Sequence, residues 1–180
     1  MEFYEKLLKK LERDAQAKKV WNASWSRAGW TDIMLRHASD IQADKGRERA
    51  SRSRRFVFHD QSQAEYLGID LTAWNPKKGM FAPLSFAMEH ENLLNIEKIV
   101  YCAWKLLCVD SPERVLVCYC NPKARSDDIA KCDDDITKAI YAGLKSHQRK
   151  PVQVIIGHYW TRHDVQGDWK KIFCAKTCVF

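Results

Sequence analysis

The chain has 180 residues, 46% of them hydrophobic, and its 30 basic against 23 acidic residues give a formal net charge of +7. That length suits one domain with its own core. No apolar run is long enough to cross a bilayer, and the opening MEFYEKLLKKLERD has no signal-peptide apolar region. The expectation is a soluble cytoplasmic protein without a membrane span or a disulfide framework, and the charge mildly favours a polyanionic partner. The seven cysteines are odd in number and include no CxxC pair, so they read as buried core thiols rather than as a zinc ribbon.

In chain order, residues 2–19 read as a first helix, because Phe3, Leu7, Leu8, Leu11 and Ala15 recur at helical spacing among Lys and Glu. Residues 21–44 carry Trp21, Trp25 and Trp30, and the apolar stretch at Ile33, Met34 and Leu35 fits a short helix. The segment 45–55, KGRERASRSRR, has six basic residues against one acidic and reads as a flexible, solvated loop. RFVFHD from Arg55 reads as a short strand, and residues 64–74 as a longer one closed by the turn NPKKG. Residues 82–91 read as a third strand, hairpin-paired with the second.

From Leu93 to Val109 the period turns helical, with Ile96, Val100, Ala103 and Leu107 on one stripe, until Ser111-Pro112 breaks it. RVLVCYC, residues 114–120, is a near-continuous apolar run of the kind found in strands buried on both faces. A helix at about 129–146 and strands at 152–160 and 170–180 complete the chain. A helical crossover makes the third and fourth strands parallel and central. The expectation is an α/β fold with a mixed central sheet in one domain, 1–180. Its αβββαβ core covers about 2–120, and a C-terminal helix and two strands (121–180) decorate it.

The chemistry concentrates at Glu89-His90-Glu91. Alternate strand residues share a face, so Glu89 and Glu91 point the same way, and carboxylates among apolar neighbours are costly unless a cation or donors compensate them. Asp70, in the preceding strand, can join them. Parity places Asp70 with Gly68, Thr72 and Trp74, against Leu67, Ile69 and Leu71. It places Ser85, Ala87, Glu89 and Glu91 together, against Leu84, Phe86, Met88 and His90. Both acidic sets thus fall on the face with the smaller residues, which leaves room for a metal and a phosphate.

With Asp70 on the second strand, Glu89-x-Glu91 on the third and a helix–strand unit following, the chain resembles the PD-(D/E)xK nuclease superfamily, of restriction-endonuclease-like fold, in its Glu-x-Glu variant. The resemblance implies a Mg²⁺- or Mn²⁺-dependent hydrolase of phosphodiester bonds in DNA. In it Asp70, Glu89 and the main-chain carbonyl of His90 hold the metal, and Glu91 positions water, acts as general base or takes a second metal. Glu91 stands where the family usually has lysine. Lys105, on the helix that follows, is the candidate to replace it as the catalytic cation, and Lys98 shares its helix face.

The same reading gives Arg47, Arg49, Arg52, Arg54 and Arg55 a role in neutralising phosphates, with RNA as a second substrate class and a homodimer as the way to cut two strands. Trp74 is a candidate base-stacking residue. The alternative is a catalytically inactive nuclease-fold protein that binds nucleic acid or a protein partner, and the missing lysine favours it. The blander readings are a solvent-exposed acidic stripe at 89–91, ordinary histidines at His158 and His163, and helix-capping for the Asp127-Asp128 and Asp133–Asp135 runs.

Overall fold

The computed structural model describes residues 2–14, 17, 27–46, 48–51, 68–74, 83–120, 126–144, 150–158 and 169–179. The elements are α1 (Glu2–Arg13), α2 (Arg27–Asp44), β1 (Glu48–Ser51), β2 (Leu71–Trp74), β3 (Leu84–Glu91), α3 (Ile96–Cys108), β4 (Arg114–Cys120), α4 (Ser126–Gly143), β5 (Pro151–His158), α5 (Trp169–Ile172) and β6 (Phe173–Val179). Among the described residues, the strands form one six-stranded sheet in the order β1-β2-β3-β4-β5-β6. β1 and β2 are antiparallel to their neighbours, β3, β4 and β5 run parallel, and β6 closes the far edge antiparallel. The protein is α/β with a mixed sheet, and the crossover through α3 makes β3 and β4 parallel neighbours.

Each face of the sheet carries its own core. Phe86, Met88, Val115, Val117, Tyr119 and Ile155 pack with α1, α2 and α5, and Ala87, Leu116, Cys118, Val154 and Ile156 pack with α3 and α4. On the first face Trp30 stacks on Trp169 with ring centroids 5.6 Å apart, and its Nε1 donates 2.6 Å to Tyr119 Oη. Gly157 of β5 lies under this aromatic layer, where a Cβ would come within 2.6 Å of the Tyr119 ring and 2.7 Å of the Phe173 ring. Rings locked in a packed core have little room to yield, so Gly157→Ala is expected to cost about 1–3 kcal/mol, read as a lower denaturation midpoint at unchanged slope. Unchanged stability would mean that the aromatic layer is loosely packed.

On the second face, α3 starts at an Asn95 N-cap, whose Oδ1 accepts from Lys98 N at 3.1 Å. It ends on Arg114, which leaves the sheet to donate to Leu106 O (2.9 Å) and Val109 O (3.0 Å). One buried guanidinium thus satisfies carbonyls that a helix end leaves unpaired, and ties α3 to the start of β4.

Several boundaries differ from the sequence expectation. α1 ends at Arg13 rather than at 19, and Asp14 turns to bind Arg36 and His37 of α2, the latter at 2.9 Å. α2 is an 18-residue helix rather than a short one. Its buried residues include Trp30, Ile33, Met34, Leu35, Ala38 and Ile41 with His37, Ser39 and Gln42, so no narrow stripe marks it. The basic segment 45–55 is not all loop, because Glu48–Ser51 forms β1 against β2. Charged residues on an edge strand hide its pairing from a composition reading. β2 begins at Leu71 rather than at 64, after a bend at Asp70, α4 begins at Ser126 rather than 129, and the helical turn α5 precedes β6. RFVFHD (55–60) lies outside the described residues.

Candidate functional site

The site forms where β2, β3 and α3 meet. The antiparallel register pairs Leu71 with Met88, so one step further Asp70 faces Glu89. Asp70 Oδ2 accepts 2.8 Å from the main-chain N–H of His90. The carboxylate serves as an acceptor for β3 just where β2 has bent away, which fixes Asp70 against Glu89. The bend also breaks the simple alternation. Ile69, expected on the opposite face, joins the cluster on the α3 side, and so does Leu84, next to the register shift at Ala73/Trp74.

Glu89 lies beneath α3 and is 1% exposed, while Asp70 is 7% exposed. Lys105 of α3 reaches down with Nζ 2.8 Å from Glu89 Oε2 and 2.8 Å from the carbonyl of Gly68, a residue whose φ of 69° turns the chain into the site. Lys98, its competitor on the same face, is exposed. The Cys102 thiol, three residues before Lys105, also lies against the Glu89 carboxylate. Sequence reasoning missed Cys102, although its i, i+3 spacing from Lys105 marks one helix face. Glu89 Oε1 is buried and has no hydrogen bond of ordinary geometry among the described residues.

The electrostatics follow from this packing. Burial first, then the charge of Asp70, raises the Glu89 pKa to about 7, against the pull of Lys105. Burial works against the Lys105 ammonium, but its hydrogen bond to Glu89 and that carboxylate's charge outweigh burial and raise its pKa. Both shifts have one meaning: Glu89 and Lys105, set in a poorly solvated place beside the charge of Asp70, hold on to protons. Among the described residues, one ammonium stands against two carboxylates in this cluster.

Glu91 shares the Glu89 face at the partly exposed end of β3, and its Oε1 accepts 2.7 Å from Leu93 N. The exposed acidic stripe is therefore not what forms, since Glu89 is fully covered. His90 sends its ring to the other face, with Nε2 2.8 Å from Tyr119 Oη, and burial lowers its pKa to about 3, so it stays neutral. Beside Lys105, α3 exposes Tyr101 and Trp104, stacked with centroids 5.7 Å apart, and Lys105 Nζ lies 5.5 Å from the Tyr101 ring centroid. Trp74 ends β2 at the register shift. Arg47, Arg52, Arg54 and Arg55 lie outside the described residues, and of Arg49 only the strand position, opposite Ala73, is described.

A second group of chemically active side chains sits two strands away. Asp133, expected to cap a helix, lies in the body of α4, is buried, and meets His158 Nε2 at 2.9 Å. His158 is thus no isolated histidine. No described helix is long and apolar enough to cross a membrane. Compared with known proteins, the chain matches no family model, and searches of curated proteins and of solved structures returned no match.

Proposed function

We propose that the protein is a divalent-metal-dependent nuclease of the PD-(D/E)xK kind, hydrolysing phosphodiester bonds in DNA at the Asp70–Glu89–Lys105 cluster. One observation carries the reading: a buried glutamate, its carboxylate raised to a pKa of about 7, is brought against a second carboxylate and a lysine by three different elements. A buried carboxylate with one oxygen that takes no hydrogen bond of ordinary geometry, next to a second carboxylate, is a donor set suited to a hard cation such as Mg²⁺ or Mn²⁺. When bound, that ion supplies Lewis acidity toward phosphate and lowers the pKa of a bound water.

The chain's own residues divide the remaining work. Asp70, anchored by His90 N–H, and Glu89 are the metal-holding carboxylates. Lys105 is placed to offset negative charge on the phosphate in the transition state, the part the family gives to the lysine that Glu91 replaces here. Glu91, at the solvent edge of the same face, is positioned to orient water. Tyr101 and Trp104, at 56% and 40% exposure beside Lys105, present ring faces suited to stacking on bases. Trp104→Ala is accordingly expected to weaken binding of single-stranded DNA about 5- to 150-fold by fluorescence anisotropy. Unchanged affinity would remove α3 from the binding surface.

The test is conversion of supercoiled plasmid, with a labelled RNA in parallel, by wild type, Asp70→Asn and Glu89→Gln in Mg²⁺ and in Mn²⁺. Wild type is expected to cleave, and each variant to lose at least about 10²-fold in rate. Glu91 in the usual lysine position favours the second reading, a nuclease-fold protein that binds without cutting. Salt-sensitive DNA binding with no cleavage in either metal would replace the first reading with the second.

A further inference from the structure

We infer that the protein carries a separate, structural zinc site built from Cys120, Asp133 and His158. Cys120 is the last residue of β4 and His158 the last of β5, and the parallel register sets them directly opposite each other. Their side chains point to the α4 face, where Asp133 lies on the same buried stripe as Ile136, Ile140 and Leu144. A sulfur, a carboxylate oxygen and an imidazole nitrogen from these three residues all lie within 4.8 Å of one another, and all three residues are buried. Two further thiols surround the group. Cys174 of β6 donates 3.0 Å to Asp133 Oδ2, and Cys132 contacts the Cys120 thiol.

An aspartate in the apolar stripe of a helix is unfavourable unless something compensates it; here His158 and Cys174, which hydrogen-bond its two oxygens, are metal ligands by type, and the Lys176 ammonium adds charge from farther off. Thiolate, imidazole and carboxylate together are a borderline-to-soft set that suits zinc rather than magnesium. Tetrahedral zinc with bonds of about 2.0–2.3 Å places its ligand atoms roughly 3.3–3.8 Å apart. The widest separations, at most 4.8 Å, therefore need to close by about an ångström, while His158 Nε2 and Asp133 Oδ1, now 2.9 Å apart, need to part slightly. The fourth ligand is Cys174, on the other Asp133 oxygen, or Cys132, beside Cys120, either of which has farther to move because neither thiol lies within 4.8 Å of all three atoms. With four protein ligands and little solvent access the site is structural rather than catalytic, and it pins α4 to β4, β5 and β6.

Burial keeps the Cys120 thiol protonated without metal, so uptake of Zn²⁺ exchanges the proton of each ligating thiol, Cys120 and the second cysteine, for a Zn–S bond and releases both to solvent. No electron transfer is involved. The inference does not depend on the nuclease reading, whose cation takes hard oxygen ligands on other residues.

The test is metal analysis and Co²⁺ loading of the full chain, purified under reducing conditions. About one zinc per chain is expected. Co²⁺ exchanged into the site is expected to give thiolate-to-cobalt charge transfer together with the intense visible bands of tetrahedral Co²⁺. Cys120→Ser and His158→Asn should lose or shift these bands. Cys108→Ser, at an exposed cysteine elsewhere, should keep them. The wild-type spectrum decides even where a variant fails to fold. Folded wild-type protein that contains no zinc, shows no thiolate–cobalt band, and keeps its melting temperature on chelation would overturn the inference.

Discussion

Glu89→Gln is expected to make the metal-free protein more stable near pH 8 while removing its activity. The sign follows from the raised pKa. In the unfolded chain Glu89 ionises at about 4.5, whereas in the folded chain burial and Asp70 hold its proton until about 7. Between those values the folded state binds more protons than the unfolded state, so stability falls as pH rises through that window. Below it the cost is absent, and above it the cost is complete. A shift from 4.5 to about 7 corresponds to about 3 kcal/mol.

Glutamine removes that cost, which is already net of the attraction to Lys105, but its amide fits the ammonium less well than a neutral carboxyl does. The ammonium keeps the Gly68 carbonyl at 2.8 Å and is partly exposed, so the loss is the smaller effect. The net gain expected in EDTA is about 1–2 kcal/mol near pH 8, shrinking toward zero near pH 4.5. Thermal melts of both proteins across pH check this. A variant less stable than wild type at pH 8 would mean that the Glu89–Lys105 pair stabilises the fold more than burial penalises it. A function-bearing group kept at a cost to stability is what such an exchange would reveal.

Lys105→Met is expected to separate binding from chemistry. Without the ammonium, Glu89 and Asp70 keep their places on β3 and at the start of β2, because Asp70 is held by His90 N–H rather than by lysine. Divalent-metal binding should survive near pH 8. Single-turnover cleavage should fall about 10²- to 10³-fold, the usual effect of removing one preorganised donor from developing charge. The pH dependence should move as well. Losing the ammonium beside Glu89 raises its pKa further, so the rise in activity with pH should shift upward. A rate within a few-fold of wild type would show that the cation at this site is not catalytic.

Much of the carboxylate site was legible because strand parity and pairing are local rules. The apolar run 114–120 is β4 in full, β3 falls within the expected 82–91, and the face shared by Ala87 and Glu89 is the one α3 covers. Lys105 could be nominated from helix periodicity alone, but only packing separates it from Lys98, which stays exposed. The bend at Asp70 was not legible, since Ile69 and Leu71 look equivalent in an alternating pattern yet join different cores. Nor was β1, whose pairing with β2 depends on a partner some twenty residues away and not on its own basic composition.

The Cys120, Asp133 and His158 group was hidden for a related reason. Its members come from a strand, a helix and a second strand, so no short spacing links them. The usable signal was positional. Cys120 and His158 both end buried strand-like runs, and Asp133 continues the stripe of Ile136, Ile140 and Leu144 where an apolar residue was due. Reading the aspartates as one capping run concealed that difference between Asp133 and its exposed neighbours Asp134 and Asp135.

The most direct measurement of the central claim is titration of the reduced 180-residue chain with Mn²⁺ near pH 8, followed by the loss of the free-ion electron paramagnetic resonance signal. It reads metal binding independently of turnover and of substrate. Wild type is expected to bind Mn²⁺ saturably, Lys105→Met to retain that binding, and Asp70→Asn and Glu89→Gln to lose it. Binding that persists undiminished in both carboxylate variants, or no saturable binding by wild type, would contradict the assignment of Asp70 and Glu89 as the metal-holding pair.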